Sequence, residues 1–427
     1  MIRTTRLWRS IAVVGVASLA LAACGGDDDG DDDTAAGDDE SPAMEQTGDG
    51  ELVLGTLLPQ TGSLAFLGPP EFAGVDLAVQ EINAAGGVLG QDVVVNHTDS
   101  GDTTTDIASQ SVDRLLTQNV DVIIGAASSS VSFTVIDAIV QSDTIMFSPA
   151  NTSPDFTTYD DNGLYFRTAP SDVLQGRAMG DLLIADGHAS IGIMALQDPY
   201  GEGLAENIQI SVENGGGEIA GGEPIIYDPN AANYATEVTQ MAALNPDAIV
   251  LVAFAETQTI VPEMVAQGIG PQDVPLYFVD GNLSNTYDFP PGTLEGVKGT
   301  FPGAESSGDF QQRMLEVDPD LEDFTYGPES YDATVLSALA AIAAGDDAGP
   351  SIASQLVDVS REGTKCTTFE ECAGLLEDGE DIDYDGVSGP IEFNDAGDPT
   401  QAVIGIYQYG PDNIYTNLEY RQGQIED

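Results

Sequence analysis

The stretch that decides the fold is ELVLGTLLPQTGSLAFLGPPEFAGVDLAVQEINAAGG, residues 51–87. Leu52–Leu58 is a short aliphatic run with the length and composition of a buried strand. Glu71–Ala84 repeats its apolar residues at helical spacing, and Gly86-Gly87 ends that helix. The same alternation continues outward. Strand-like runs recur at Val93–His97, Val122–Gly125, Ile145–Phe147 and Ile191–Leu196, then at Glu218–Tyr227, Ala248–Ala253, Leu276–Val279 and Ala402–Tyr409. Between them lie helix-length segments at Thr104–Gln118, Val131–Gln141, Asp172–Asp186, Leu204–Asn214, Tyr234–Leu244 and Thr257–Gln267. Strand, helix, strand in succession predicts an α/β fold of doubly wound parallel sheets covered on both faces. There are more strand units than one sheet usually holds, and 427 residues exceed the roughly 250–300 at which single cores split. No Pro/Gly-rich linker divides the chain, so it is expected to cross between two lobes more than once.

Residues 1–23 read as an export signal: Arg3, Arg6 and Arg9 precede an apolar run, Ile11–Ala23, too short to span a bilayer. Leu21-Ala22-Ala23-Cys24 resembles a bacterial lipobox, which implies cleavage before Cys24 and lipid attachment to it. No other apolar run is long enough to cross a membrane, so the lipid is the expected anchor. Residues 24–50 carry eleven acids, no base and no aromatic, and read as a disordered tether.

The chain holds 72 acids against 11 bases, a formal charge of −61, which disfavours nucleic acid as a partner. After residue 50 there are still 61 acids and 8 bases, so the acidity belongs to the folded body and suits a saline or alkaline habitat. His97 and His188 are the only histidines, and they lie far apart; no nucleophile elbow or phosphate loop occurs. The sequence therefore points away from an enzyme and implies no cofactor. Cys366 and Cys372 enclose a short polar segment in an exported chain, and a local disulfide is expected. Asp381, Asp383, Asp385, Gly386 and Glu392 fit the EF-hand loop pattern. Gly389-Pro390 breaks its second half, Ser388 replaces the usual apolar residue and Ile391-Glu392-Phe393 alternates like a strand, so an acidic turn is expected and no metal.

Thr61-Gly62, Gly68, Glu71-Phe72, Gly74 and Glu81-Ile82-Asn83-Ala84-Ala85-Gly86-Gly87 resemble the opening of the branched-chain amino acid receptors. These are the type I periplasmic binding proteins of ABC importers. Ile124-Gly125, Ser128-Ser129-Ser130, Ser148-Pro149-Ala150 and Tyr200-Gly201-Glu202-Gly203 extend the resemblance across residues 51–410. It implies two αβα lobes joined by three crossovers: one of residues 51–170 plus 302–396, the other of 171–301 plus 397–427. It also implies a monomer that delivers an amino acid, branched-chain or otherwise apolar, to a permease and its ATPase. An amide, urea or aromatic acid as ligand, and a sensor without transport, are the alternatives.

By that resemblance Ser129 and Thr152 offer hydroxyls and N–H groups to a ligand carboxylate, and the backbone of Ala150 binds carboxylate or ammonium. Ser129 also opens a helix, whose first N–H groups favour an anion on physical grounds. Asp280, after Tyr277-Phe278-Val279, sits at the carboxyl end of a strand and would pair with an ammonium. Tyr200, Phe254 and Tyr331 match cleft aromatics. Phe254 and Leu67 stand where the amino acid receptors carry tyrosines, which implies a more apolar pocket.

Overall fold

The computed structural model describes residues 48–304 and 306–425. The lipobox cysteine Cys24, the export signal and most of the tether lie outside the described residues.

The first lobe is built on a parallel sheet in the order β2-β1-β3-β4-β5. Its strands are β1 (Val53–Leu58), β2 (Val94–Asp99), β3 (Val122–Gly125), β4 (Ile145–Ser148) and β5 (Tyr165–Arg167). Helices α1 (Gly68–Ala84), α2 (Ile107–Thr117) and α3 (Ser129–Val140) connect the earlier strands. β1, β3 and β4 are buried almost throughout, as strands covered on both faces must be.

The chain then crosses to a second sheet made of β6 (Ser190–Leu196), β7 (Glu218–Ile219), β8 (Ile225–Tyr227), β9 (Ala248–Val252), β10 (Leu276–Phe278) and β11 (Lys298–Pro302). Helices α4 (Asp172–Ala185), α5 (Pro199–Asn214), α6 (Ala235–Leu244) and α7 (Thr257–Ala266) accompany it. One strand was expected over Glu218–Tyr227, but Gly221 and Gly222, at φ +84° and +88°, break it into β7 and β8. Both pieces pair in parallel with β6.

After β11 the chain returns to the first lobe with α8 (Gly308–Val317), α9 (Gly327–Ala344), α10 (Gly349–Leu356) and α11 (Phe369–Glu377). Phe310, Leu336, Leu339 and Ile352 join the core of the first sheet. A two-stranded ladder, β12 (Thr364–Cys366) with β13 (Ile382–Tyr384), lies at this end. A third crossing leads to β14 (Gln401–Tyr409) and β15 (Tyr415–Gln424), an antiparallel hairpin on the edge at β11. The result is a two-lobed α/β fold with one parallel and one mixed sheet.

Cys366 and Cys372 form the disulfide, with Cα atoms 5.4 Å apart, tying β12 to α11. In the EF-hand-like segment Asp383 lies on β13, and the Lys365 ammonium lies 3.0 Å from Asp383, 3.0 Å from Asp385 and 3.7 Å from Glu392. A protein cation thus sits among three of the carboxylates the motif would aim at calcium. Asp381 precedes β13 and is exposed.

Candidate functional site

Strand-to-helix turns at the carboxyl ends of β3, β6, β9 and β10 bring the chemistry together. At the end of β3, Gly125 has φ +132°, and a Cβ there would fall 2.1 Å from the Leu57 carbonyl, so this turn requires glycine. It delivers Ser128 as N-cap of α3, its Oγ accepting the Val131 N–H at 3.4 Å. Ser129 and Ser130 are then the first helical residues, whose N–H groups an α-helix leaves without intrahelical acceptors. With the positive end of the helix dipole they favour an anion.

Ser129, Ala150, Tyr200, Phe254, Asp280 and Leu67 line one small cavity, of about 20 Å³, with Leu64, Ala127, Ser128, Gly281 and Tyr326. It lies between the lobes, because Leu64, Leu67, Ser129 and Ala150 come from the first and Tyr200, Phe254 and Asp280 from the second. Tyr200 and Phe254 stack with ring centroids 5.3 Å apart and planes within 10°. Gly281 permits this wall, since a Cβ there would meet the Phe254 ring at 2.9 Å.

Asp280 opens a short 3₁₀ turn after β10 and is buried. Its Oδ1 accepts from Tyr200 Oη at 2.8 Å and Gln175 Nε2 at 2.9 Å, and its Oδ2 from Tyr326 Oη at 2.8 Å. All of these donors are neutral. Burial pushes the Asp280 carboxyl up, and the hydrogen bonds from Tyr200, Tyr326 and Gln175 offset that only in part. Asp172, also buried, is pushed well up by burial and then by the Asp280 charge, against a smaller opposing effect of the Thr152 hydroxyl.

Two expectations need correction. Tyr331 is not in the cavity: it lies on α9 in the first lobe's core, its hydroxyl donating to Glu81 Oε2 at 2.5 Å and its ring edge-on to Phe310. Tyr326, five residues earlier, takes the cleft position because it has a left-handed backbone, φ +58°, just before α9. Thr152 does not line the cavity; it is buried beside Asp172, whose N–H donates to its carbonyl at 2.8 Å. The Ala150 N–H donates to Ser148 Oγ at 3.2 Å, so that donor is engaged within the protein.

The lobes meet directly around the cavity. Ser130 Oγ donates to Asp198 Oδ2 at 2.7 Å, and Ser153 Oγ to the Pro199 carbonyl at 3.1 Å. Asp198 is the N-cap of α5, accepting the Gly201 N–H, and burial raises its carboxyl to about 6. Sequence reasoning missed Tyr326, Gln175 and Asp172, which no spacing marks, and Arg167. The Arg167 guanidinium is fully buried behind the Asn151–Ser153 loop, bonding Asp398 Oδ1 at 2.6 Å and the Ser153 carbonyl at 2.7 Å.

A two-lobed fold with a small inter-lobe cavity, polar at both ends and walled by aromatic rings, defines a solute receptor. The periplasmic binding protein family profile matches residues 51–407, and the chain belongs to that family, whose members bind solutes and do not catalyse. It is similar to the chemotactic signal transduction system substrate-binding protein BasB of Halobacterium salinarum, with 26% identity over 88% of this chain and 91% of that one. Its fold is that of the leucine binding protein LivK of Thermotoga maritima, with TM-score 0.70 and 18% identity over 86% of this chain and 98% of that one. It is equally that of an R. palustris ABC transporter solute binding protein in complex with 4-hydroxybenzoate, with TM-score 0.72 and 14% identity over 88% and 98%.

Proposed function

We propose that this is the lipid-tethered extracytoplasmic receptor of an ABC importer, and that its lobes close on a small amino acid with a branched-chain or other apolar side chain. The observation that carries the reading is the placement of buried Asp280 and the N-terminus of α3 around the same cavity. A zwitterion matches both: its carboxylate meets the N–H groups at Ser129 and Ser130, and its ammonium supplies the cation that Asp280 lacks among its protein partners. Leu64, Leu67 and the Tyr200–Phe254 stack would then hold the side chain. The leucine-binding relative in fold supports this choice.

One observation favours a second reading. Asp280 already accepts three side-chain hydrogen bonds, and the stacked rings offer a flat face, which suits an aromatic acid such as the 4-hydroxybenzoate of the R. palustris protein. The likeness to BasB similarly favours delivery of the closed form to a signalling partner in place of a permease. Calorimetric titration with leucine, its des-amino analogue 4-methylpentanoate, and 4-hydroxybenzoate separates the ligand classes. Leucine should bind at least tenfold more tightly than 4-methylpentanoate; equal affinities would overturn the amino acid reading, and tightest binding of 4-hydroxybenzoate would establish the second. Anchoring is tested separately, since Cys24→Ser should release the protein from membranes or block its processing.

A further inference from the structure

A second cavity, of about 880 Å³ including its open mouth, lies on the other side of Tyr326 from the solute site. Its walls carry six aromatic rings: Phe301 from β11, Phe324 and Tyr326 before α9, Tyr407 from β14, and Tyr415 and Tyr420 from β15. The rings brace one another, Phe301 against Tyr326 at 4.9 Å and Tyr407 edge-on to Tyr415 at 5.2 Å. Its charge is of one sign. Glu322 and Asp323 stand in the lining with Glu329, and none of the lining residues is a lysine, arginine or histidine.

Glu329 is the second, independent observation. It is 2% exposed, and its Oε2 has no hydrogen-bond partner in the protein. A buried carboxyl oxygen without a partner costs on the order of 1–3 kcal/mol, and because Glu329 borders the cavity, a cation held there would offset part of that cost through its charge. Hard metal ions do not fit: calcium takes six to eight oxygen ligands and magnesium a near-ideal octahedron, whereas among the described residues no three acidic, histidine or cysteine side chains are grouped to hold a metal. Ring faces and carboxylates together attract an organic cation, whose charge is spread over methyl or methylene groups.

We propose that the cavity behind Tyr326 is a second binding site, distinct from the solute cleft, that takes a small organic ammonium ion between its tyrosines and Glu329. The β14–β15 hairpin supplies three of the six rings, so the site depends on this hairpin at the edge of the second sheet. Burial raises the Glu329 carboxyl to about 8. A cation placed beside it would favour the ionised form, so binding near neutral pH releases a proton.

Calorimetric titration of the full chain with choline chloride at fixed ionic strength tests the site, with 3,3-dimethylbutan-1-ol as the uncharged analogue of the same shape. Choline should bind saturably at one site, with a heat that varies with the ionisation enthalpy of the buffer, and the alcohol should not bind. Glu329→Gln should weaken choline at least tenfold. Tyr407→Leu, on the partly exposed hairpin, should weaken it several-fold and serves if the glutamine variant does not fold. Phe254→Leu, which alters a wall of the solute cleft and no wall of this cavity, should move choline affinity less than twofold. No saturable binding, equal binding of the alcohol, or unchanged affinity in both Glu329→Gln and Tyr407→Leu would overturn the proposal. So would loss of choline binding in Phe254→Leu, because choline would then be occupying the solute cleft.

Discussion

Asp398, where the chain crosses to β14, and Asp280, at the end of β10, are both buried carboxylates, and the fold treats them in opposite ways. Asp398 precedes β14 and meets the Arg167 guanidinium at 2.6 Å, while Thr157 Oγ1 donates to its other oxygen at 2.5 Å. The arginine spends its remaining donors on the carbonyls of Asn151 and Ser153 and on Thr157 Oγ1. Asp280 meets only phenols, an amide and the backbone. The first arrangement is closed, with charge matched by charge, and belongs to the scaffold that shapes the Ala150–Ser153 loop. The second is matched in hydrogen bonds but not in charge, as the proposed role of meeting a solute ammonium requires.

The largest effect expected from this contrast is on stability. Arg167→Met keeps most of the side-chain volume but leaves Asp398 and two backbone carbonyls without their cation. Breaking a buried pair on one side typically costs about 3–5 kcal/mol. Urea denaturation should show a loss of that size; a loss under about 1 kcal/mol would mean the pair is not structural.

Asp280→Asn should do the reverse. It removes a charge that burial disfavours, so the melting temperature should hold or rise, while leucine affinity falls by about 2–5 kcal/mol, roughly thirty-fold or more. A variant that melts much lower with leucine affinity intact would place Asp280 in the scaffold beside Asp398 and erase the distinction.

How much of this contrast could be read from the sequence depended on whether a residue's role is local. Strands such as Val122–Gly125 and helices such as Asp172–Ala185 announce themselves by composition and spacing, and the Ser129 and Asp280 ends follow from their places after strands. Tyr326 and Tyr331 are both aromatic and five residues apart. Only the left-handed backbone at Tyr326 sends one to the cleft and leaves the other in the core, and nothing in the sequence marks that turn. Arg167 and Asp398 are 231 residues apart, so their pairing is purely tertiary. The strand β15 was missed because Tyr415–Gln424 is an edge strand, mostly exposed and polar, with no buried face to give it an alternation.

Acidification extends the comparison to the other buried acids. Burial raises Glu329 to about 8, Asp121 to about 7 and Asp198 to about 6. In the unfolded chain these groups ionise near pH 4. Between about pH 4 and 8 the folded state therefore binds more protons, and stability falls as pH rises through that window. Glu71, buried against Glu329 and also pushed well up, adds to the trend. The melting temperature should thus climb by several degrees from pH 8 to pH 5, and Glu329→Gln should flatten the upper part of the curve. Below about pH 4 the trend should reverse, as Asp99 and Asp186, whose carboxyls hydrogen bonds and Lys298 hold low, lose their charges. A curve flat from pH 8 to 5 would mean these acids are hydrated.

The smallest effect concerns the acidic turn around β13, where Lys365 supplies from the protein the cation that calcium would supply in an EF-hand. Its side chain is 57% exposed, so its attraction to Asp383, Asp385 and Glu392 is screened, and surface pairs of this kind contribute about 0–1 kcal/mol. Lys365→Ala should lower stability by no more than that. The test with more resolving power is calcium itself. With the ammonium in place and Gly389-Pro390 breaking the loop, millimolar calcium should leave the melting temperature of the unmodified protein where magnesium at the same ionic strength leaves it. The alanine variant brings three carboxylates together without a cation and should respond slightly more to either ion, through screening alone. Tight calcium binding by the unmodified protein that Asp383→Ala abolishes would show that the lysine yields its place, and that this turn takes its cation from solution.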